Sequence, residues 1–246
     1  MSALKKIRGQ PLLSPPGEGL YFTVVRERDV GLLTRALEDI RHVEGGGGFI
    51  VDRLLSEAHF CLRGLGYPHD ITAHDRDLMK YELEHTRENV RGFEPARAHY
   101  FMAQIGFPQE VTAADWKCFD SCFSRQYNLN AHLARADFYL NAIGVESRLS
   151  PKEREDVQKI FTDWVASRRC DPLTLAEISY CMKKTCFVGC DSAGVEEVLK
   201  GGLEELRRSS AVRAGFIPLL YYSNQLFPPK ETYDTTQIPP LKKYVK

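Results

Sequence analysis

No stretch of about 18 consecutive apolar residues occurs in the 246-residue chain, so no segment reads as a membrane-spanning helix. Net charge is also lacking. The 33 Lys and Arg cancel the 33 Asp and Glu, and bulk electrostatics therefore favour neither nucleic acid nor anionic lipid over a protein surface. The seven cysteines (61, 118, 122, 170, 181, 186 and 190) make no even disulfide framework and no secretory apolar segment precedes them, which points to a reducing compartment. Lys5, Lys6 and Arg8 echo a mitochondrial targeting segment, but Pro11, Pro15 and Pro16 cut its amphipathic stretch short. Gly45 to Gly48 is followed by no Gly-Lys-Ser or Gly-Lys-Thr, so it reads as a flexible loop rather than a phosphate cradle. No Ser-His-acid or Cys-His grouping stands out, and an enzyme is not expected.

What is present is a repeat. Leu65-Gly66-Tyr67 precedes Ile71-Thr72 and Asp75; Ile105-Gly106-Phe107 precedes Val111-Thr112 and Asp115; Ile143-Gly144-Val145 precedes Leu149-Ser150 and Glu153. The three glycines lie 40 and 38 residues apart, and a fixed period marks one supersecondary unit per copy. Gly supplies the left-handed conformation that closes a helix, and the Thr or Ser with an acid three residues on opens the next as a capping box. Pro68 and Pro108 stiffen two of the linkers, while Pro151 suits the first helical position. Upstream, residues 56–62, 96–102 and 134–140 align at the same offsets, and a fourth copy fits if Cys186 takes the Gly position.

Helical periodicity runs through Val30, Leu33, Leu37 and Ile40, then Leu54 to Leu65, and on over 72–86, 94–105, 112–125, 131–143, 150–166 and 174–186. The expected fold is all-α: four helix-loop-helix units in two paired lobes, plus one or two C-terminal helices and extended arms. The boundaries drawn are an N-terminal arm at 1–28 with a strand-like run Tyr21 to Val25, pair 1 at 29–106, and pair 2 at 107–186. A helical extension at 187–226 contains a helix over 193–208 and an apolar run from Phe216 to Tyr222, and a tail occupies 227–246.

In its linker the pattern resembles the EF-hand superfamily, calmodulin and its relatives, most closely from Ile143-Gly144 through Leu149-Ser150-Pro151-Lys152-Glu153 to Ile160-Phe161. The resemblance covers 29–186 and implies four calcium-loop positions, which the loops do not honour. Calcium requires six or more oxygens, with a bidentate Glu at loop position 12. The four loops implied are 46–57, 86–97, 124–135 and 166–177, and position 12 falls on Glu57, Arg97, Arg135 and Glu177. Gly48 and Ile50 stand at ligand positions of the first loop, and Ala166, Arg168 and Cys170 at those of the fourth. A cation at position 12 silences both middle loops, so no calcium, and no other metal or cofactor, is expected.

Cys118 and Cys122, like Cys186 and Cys190, stand four apart, and two such pairs could build a four-thiolate zinc site; packing as small buried apolar groups is the preferred reading. His59 and His99 occupy equivalent positions, which argues for packing or capping over catalysis. There remains a calcium-independent structural subunit of a large assembly that receives partner proteins in helical grooves and along its arms. Tyr21, Tyr233, Lys242, Lys243 and Tyr244 are the candidate partner contacts, and Ser14-Pro15 is a candidate phosphorylation site. By analogy with degenerate EF-hand-like proteins that have extended arms, the location expected is cytoplasmic and cytoskeletal, on ciliary or axonemal microtubules with tubulin as a partner. Accessory subunit of a mitochondrial complex in the matrix, RNA-binding α-solenoid, and light-chain-like regulator are the rival readings.

Overall fold

In the computed structural model the described residues are 27–42, 54–89, 92–122, 132–146, 149–167, 170–209 and 214–228, and all their regular structure is helical. Ten helices follow in order: α1 (Glu27–His42), α2 (Leu55–Gly64), α3 (Ala73–Asn89), α4 (Glu94–Gln104), α5 (Ala113–Cys122), α6 (Leu133–Ala142), α7 (Pro151–Ser167), α8 (Pro172–Lys184), α9 (Ala193–Arg208) and α10 (Phe216–Leu226). The arms, the Gly45 to Gly48 stretch, the expected strand at Tyr21 to Val25 and Ser14 lie outside the described residues.

The linker motif folds as its chemistry dictates. After α2 the N–H of Gly66 donates to the carbonyl of Arg63 at 3.0 Å and that of Tyr67 to Leu62 at 2.9 Å, the double closure of a left-handed helix end. Gly106 with Phe107 and Gly144 with Val145 repeat it. So does the fourth copy: Phe187 N–H donates to Met182 at 2.9 Å, and Cys186, at φ 63°, is the one non-glycine residue with positive φ among those described. The next helix opens on a reciprocal box: Thr72 N–H donates to Asp75 at 2.8 Å while Asp75 N–H donates to the Thr72 hydroxyl at 3.1 Å. Thr112 N–H to Asp115 (2.6 Å) and Ser150 N–H to Glu153 (2.7 Å) follow the same plan. α8 starts two residues earlier than its apolar period suggests, because Asp171 accepts from Thr174 N–H at 2.8 Å and Pro172 sits at the first turn.

These hairpins assemble into two layers. α2 packs on α4, α4 on α6, α6 on α8, α8 on α10, and α10 returns to α2, so the even-numbered helices form one closed inner ring. The odd-numbered helices lie outside, each across a seam: α1 on α10 and α2, α3 on α2 and α4, α5 on α4 and α6, α9 on α8 and α10. α7 covers the remaining seam through Arg154, which reaches Asp137 of α6 at 2.8 Å and the carbonyl of Thr185 after α8. Two separately packed lobes would break this circuit between α4 and α6. The circuit is unbroken there, and α9 and α10 complete it as a fifth hairpin rather than trailing from a four-unit body.

Burial follows the layers. Every residue from Glu94 to Met102 in α4 and from Leu175 to Met182 in α8 is buried, whereas α7 buries only Val157 and Phe161. An aromatic side chain from each inner helix closes a girdle: Phe60–Tyr100 at 5.9 Å, Tyr100–Phe138 at 5.3 Å, Phe138–Tyr180 at 5.8 Å, Tyr180–Tyr221 at 6.0 Å and Tyr221–Phe60 at 5.3 Å between ring centroids. Equivalent repeat positions on α2, α4, α6 and α8 thus meet at one level, and Tyr221 of α10 joins them there. The seam between α10 and α2 closes because Gly64 has no side chain; a Cβ there would collide with the ring of Tyr221. Arg207 of α9 clamps Asp29 of α1 with two bonds of 3.0 and 2.9 Å, tying the last hairpin to the first.

Two substitutions test this account. Cys186→Gly relieves a left-handed L-residue and is expected to raise unfolding free energy by about 1 kcal/mol. Gly64→Ala is expected to cost about 1–3 kcal/mol by forcing Tyr221 from the seam. Urea unfolding measures both, and a neutral Gly64→Ala would contradict the closed ring.

Candidate functional site: a buried chain of charges in the inner ring

The four residues at one phase of the repeat, Glu57, Arg97, Arg135 and Glu177, lie one turn before the aromatic girdle, one on each of α2, α4, α6 and α8. They meet. Arg97 Nη2 donates to Glu57 at 2.5 Å, Arg97 Nε lies 2.9 Å from Glu177, and Arg135 Nη1 donates to the second oxygen of Glu177 at 2.6 Å. Glu94 pairs with Arg97 at 3.1 Å; the hydroxyl of Tyr139 donates to Glu177 at 2.8 Å; and that of Tyr222, on α10, donates to Glu57. All five inner helices therefore contribute a polar side chain to one enclosed network. Arg135 also stacks over Phe93, 4.7 Å from its ring centroid, and bonds His132 at 2.6 Å.

Around these two guanidiniums stand Glu57, Glu94 and Glu177, with Glu82 of α3 reaching in to accept the N–H of Leu55 at 3.0 Å. The carboxylates outnumber the cations, and burial decides which of them stays ionised. Burial drives the Glu57 carboxyl up to about 7 against the pull of Arg97, and Glu82 up to about 8. Glu177 faces the same burial, but Arg135, Arg97 and the Tyr139 hydroxyl hold it below the usual carboxylate range. The network is a set of buried ion pairs in which the Nε of Arg135 is left without a hydrogen-bond acceptor, and among the described residues no group of three His, Cys, Asp or Glu is placed to hold a metal ion.

Two of the four expected calcium loops, 86–97 and 166–177, are shortened from both ends, while most of 46–57 and 124–135 lies outside the described residues. α3 continues to Asn89 and α4 begins at Glu94; α7 continues to Ser167 and α8 begins at Pro172. Four residues are left between helices in each case, too few to curl around an ion that needs six or more oxygens.

His59 and His99 also take equivalent places. Each faces the capping-box acid of the following outer helix: His99 Nε2 lies 3.2 Å from Asp115, and His59 Nε2 lies 3.5 Å from Asp75. Those acids are gripped in turn by the preceding outer helix. Arg41 of α1 binds Asp75 through two bonds of 2.8 Å, and Arg87 of α3 binds Asp115 through bonds of 2.8 and 2.7 Å. Burial disfavours the Asp115 carboxylate, yet His99, Arg87 and the Thr112 N–H together keep it well below its ordinary range. Both imidazoles thus pack against a capping box. In the third repeat an acid, Asp137, replaces the histidine and takes a cation, Arg154, from the next helix.

Cys118 and Cys122 are buried on α5, where each thiol points to a backbone carbonyl; Cys190 is buried and Cys186 exposed beyond α8. The five partner-contact residues Tyr21, Tyr233, Lys242, Lys243 and Tyr244 lie outside the described residues. No described helix is long and apolar enough to cross a membrane. Comparison with family models, curated proteins and solved structures finds no match to this chain.

Linkage sets the pH response. Glu57 and Glu82 hold protons in the fold that unfolded carboxyls release near 4.5, so the folded state binds more protons between about pH 5 and 8 and loses stability as pH rises. Glu177, Asp75 and Asp115 act oppositely: their folded values are depressed, and their contribution is lost as pH falls below the ordinary carboxyl range. Stability is expected to peak near the lower edge of the pH 5–8 window. Glu82→Gln keeps an acceptor for Leu55 and is expected to flatten the fall by up to about 1.4 kcal/mol per pH unit, read by chemical denaturation across that range. Arg97→Met removes the cation shared by Glu57, Glu94 and Glu177 and is expected to cost about 3–5 kcal/mol with a broadened transition in the same assay.

Proposed function

We propose that this protein is a calcium-independent structural subunit that binds partner proteins within a larger assembly. The observation that carries this reading is the fate of the position-12 residues: Glu57, Arg97, Arg135 and Glu177 pair with one another inside the ring, so neither acid is presented to an ion. A helix-loop-helix protein without an ion switch keeps one shape, and a fixed shape suits a constitutive joint. The inner faces that would form a groove are packed against each other, so partner helices are not received there; partners meet the outer layer and the segments 1–28 and 227–246. Those segments carry Pro, Tyr and Lys residues suited to extended contacts, including Tyr21, Tyr233, Lys242, Lys243 and Tyr244.

The hairpin periodicity also fits the class of helical-repeat proteins, which includes RNA-binding solenoids. Closure weighs against RNA, because the surface an open solenoid presents as its concave face is here the interior, and the chain has no net positive charge. Ciliary microtubules remain the proposed setting, and a mitochondrial complex the rival.

Crosslinking mass spectrometry on native complexes tests the assignment: links from Lys230, Lys242 and Lys243 to tubulin support the ciliary setting, and links to respiratory or ribosomal subunits replace it. Isothermal titration is expected to show no calcium binding at micromolar concentration. Saturable uptake would overturn the calcium-independent reading.

A further inference from the structure

The outer helices are joined by a repeated device. An acid in the first turn of a helix is followed twelve residues later by an arginine in its last turn, as with Asp29 and Arg41 of α1 and Asp75 and Arg87 of α3. The arginine then grips the first-turn acid of the next outer helix: Arg41 takes Asp75, Arg87 takes Asp115 and, across the closure, Arg207 of α9 takes Asp29. At the step from α7 to α9 the device is missing. Twelve residues after Glu153 the chain has Val165, and twelve residues before Arg207 it has Val195. Two valines stand where an arginine and an acid stand elsewhere.

We propose that α7 is a strap that opens as a unit from the seam between α6 and α8, with Arg154 and Asp137 as its latch. The inference goes beyond the scaffold reading and does not depend on it.

Three further observations lead to it. First, α7 has the weakest seat in the outer layer. α1, α3, α5 and α9 each pack closely on two inner helices, whereas α7 packs closely only on α9. Of the two 17-residue helices, α3 buries Asp75, Met79, Leu83 and Thr86, while α7 buries only Val157 and Phe161 and leaves Ile160, Trp164 and Val165 half-buried.

Second, its first-turn acid does not dock it. Asp75 and Asp115 are fully buried beside His59 and His99, but in the third repeat Asp137 replaces the histidine, and an acid there repels the acid of the next helix. Among the described residues Glu153 accordingly bonds only Ser150, its own capping partner.

Third, the anchoring that remains is narrow. Arg154 donates Nη1 to Asp137 at 2.8 Å and Nη2 to the carbonyl of Thr185, with its guanidinium 4.3 Å from the centroid of Phe187. One turn on, Gln158 accepts the N–H of Val188 at 3.2 Å, in an exposed bond. The Arg154 side chain is itself 33% exposed, so water can compete for its partners.

A helix with few buried apolar groups and solvent-exposed polar bonds belongs to the low-stability end of a fold and can open without global unfolding. None of the ion pairs that link the inner helices at Glu57, Arg97, Arg135 and Glu177 involves α7, so the ring stays shut when the strap lifts. Opening uncovers the Asp137 carboxylate and the apolar bed of Val157 and Phe161, a surface that the closed outer layer lacks.

The test is hydrogen exchange of the full-length protein, read as protection factors for α7 and for α3, its equal in length. The interior amides of α7 are expected to share one protection value, at least tenfold below that of α3, and Arg154→Gln is expected to lower it about tenfold more while α3 and α9 keep theirs. Equal protection of α7 and α3 overturns the strap, as does a gradient falling from the middle of α7 to its ends, which marks fraying. A loss in Arg154→Gln spread evenly over α3, α7 and α9 also overturns it. The double variant Val165→Arg with Val195→Asp supplies the missing clamp and is expected to raise α7 protection at least tenfold. Arg154 is partly exposed and outside the inner ring, so Arg154→Gln decides the matter even if the double variant does not fold.

Discussion

The contact on which the ring depends is the one that crosses it. Glu57 and Arg97 sit on neighbouring helices, as do Arg135 and Glu177, but the 2.9 Å approach of Arg97 to Glu177 joins α4 to α8 across the interior. A side chain of fixed length between two non-adjacent helices sets the diameter of the ring at that level. The aromatic girdle one turn away fills the space so defined, and Tyr222 brings the fifth helix into the same network through Glu57. Such a network is an uncertain source of net stability, since desolvating the ions offsets much of their attraction. What it does supply is discrimination among hairpins that otherwise look alike.

Five similar units could close in more than one order by hydrophobic burial alone, because aromatic and aliphatic groups at equivalent levels are interchangeable to a first approximation. Charge removes that freedom. Glu on α2 and α8 with Arg on α4 and α6 gives each guanidinium an acid on an adjacent helix, whereas exchanging α2 with α6 would leave Arg135 between Arg97 and α10 with no acid on either adjacent helix. The outer layer carries a second, independent set of instructions: Arg41 to Asp75, Arg87 to Asp115 and Arg207 to Asp29 each tie one outer helix to the next around the circle. The last of these joins residues 178 positions apart, and closure of the chain on itself therefore rests on specific pairing as well as on burial.

Much of this architecture was legible in local chemistry. Gly66, Gly106 and Gly144 announce helix ends because only a left-handed residue completes that closure, and Thr72, Thr112 and Ser150 announce starts because an acid follows three residues later. Even the departure at Cys186 was readable from period alone, and the structure gives it the same positive φ. The phase of Glu57, Arg97, Arg135 and Glu177 was legible too, but not its meaning: a calcium-loop register picks out the positions, while their convergence depends on contacts 40 or more residues apart. α9 and α10 escaped the repeat for a related reason. α10 ends in Phe227-Pro228 without the Gly signal, and Pro218 stands near the place where the other inner helices carry Glu or Arg. Of the buried histidines, the sequence showed only that His59 and His99 are equivalent; the difference between them is a few tenths of an ångström to an acid, which no residue pattern records.

That small difference bears on how a closed repeat acquires function. In a ring whose inner faces are all consumed by packing, the linkers and outer helices are where one repeat can differ from the next without breaking closure. The second linker places Gln109 where the first has His69, and both side chains bond the carbonyl two residues back, so the backbone is unchanged by the exchange. The framework tolerates the substitution because the capping box and the helix end fix the linker from both sides. A repeat architecture of this kind separates the residues that must agree, which lie in the ring, from those that are free to diverge, which line its outer surface.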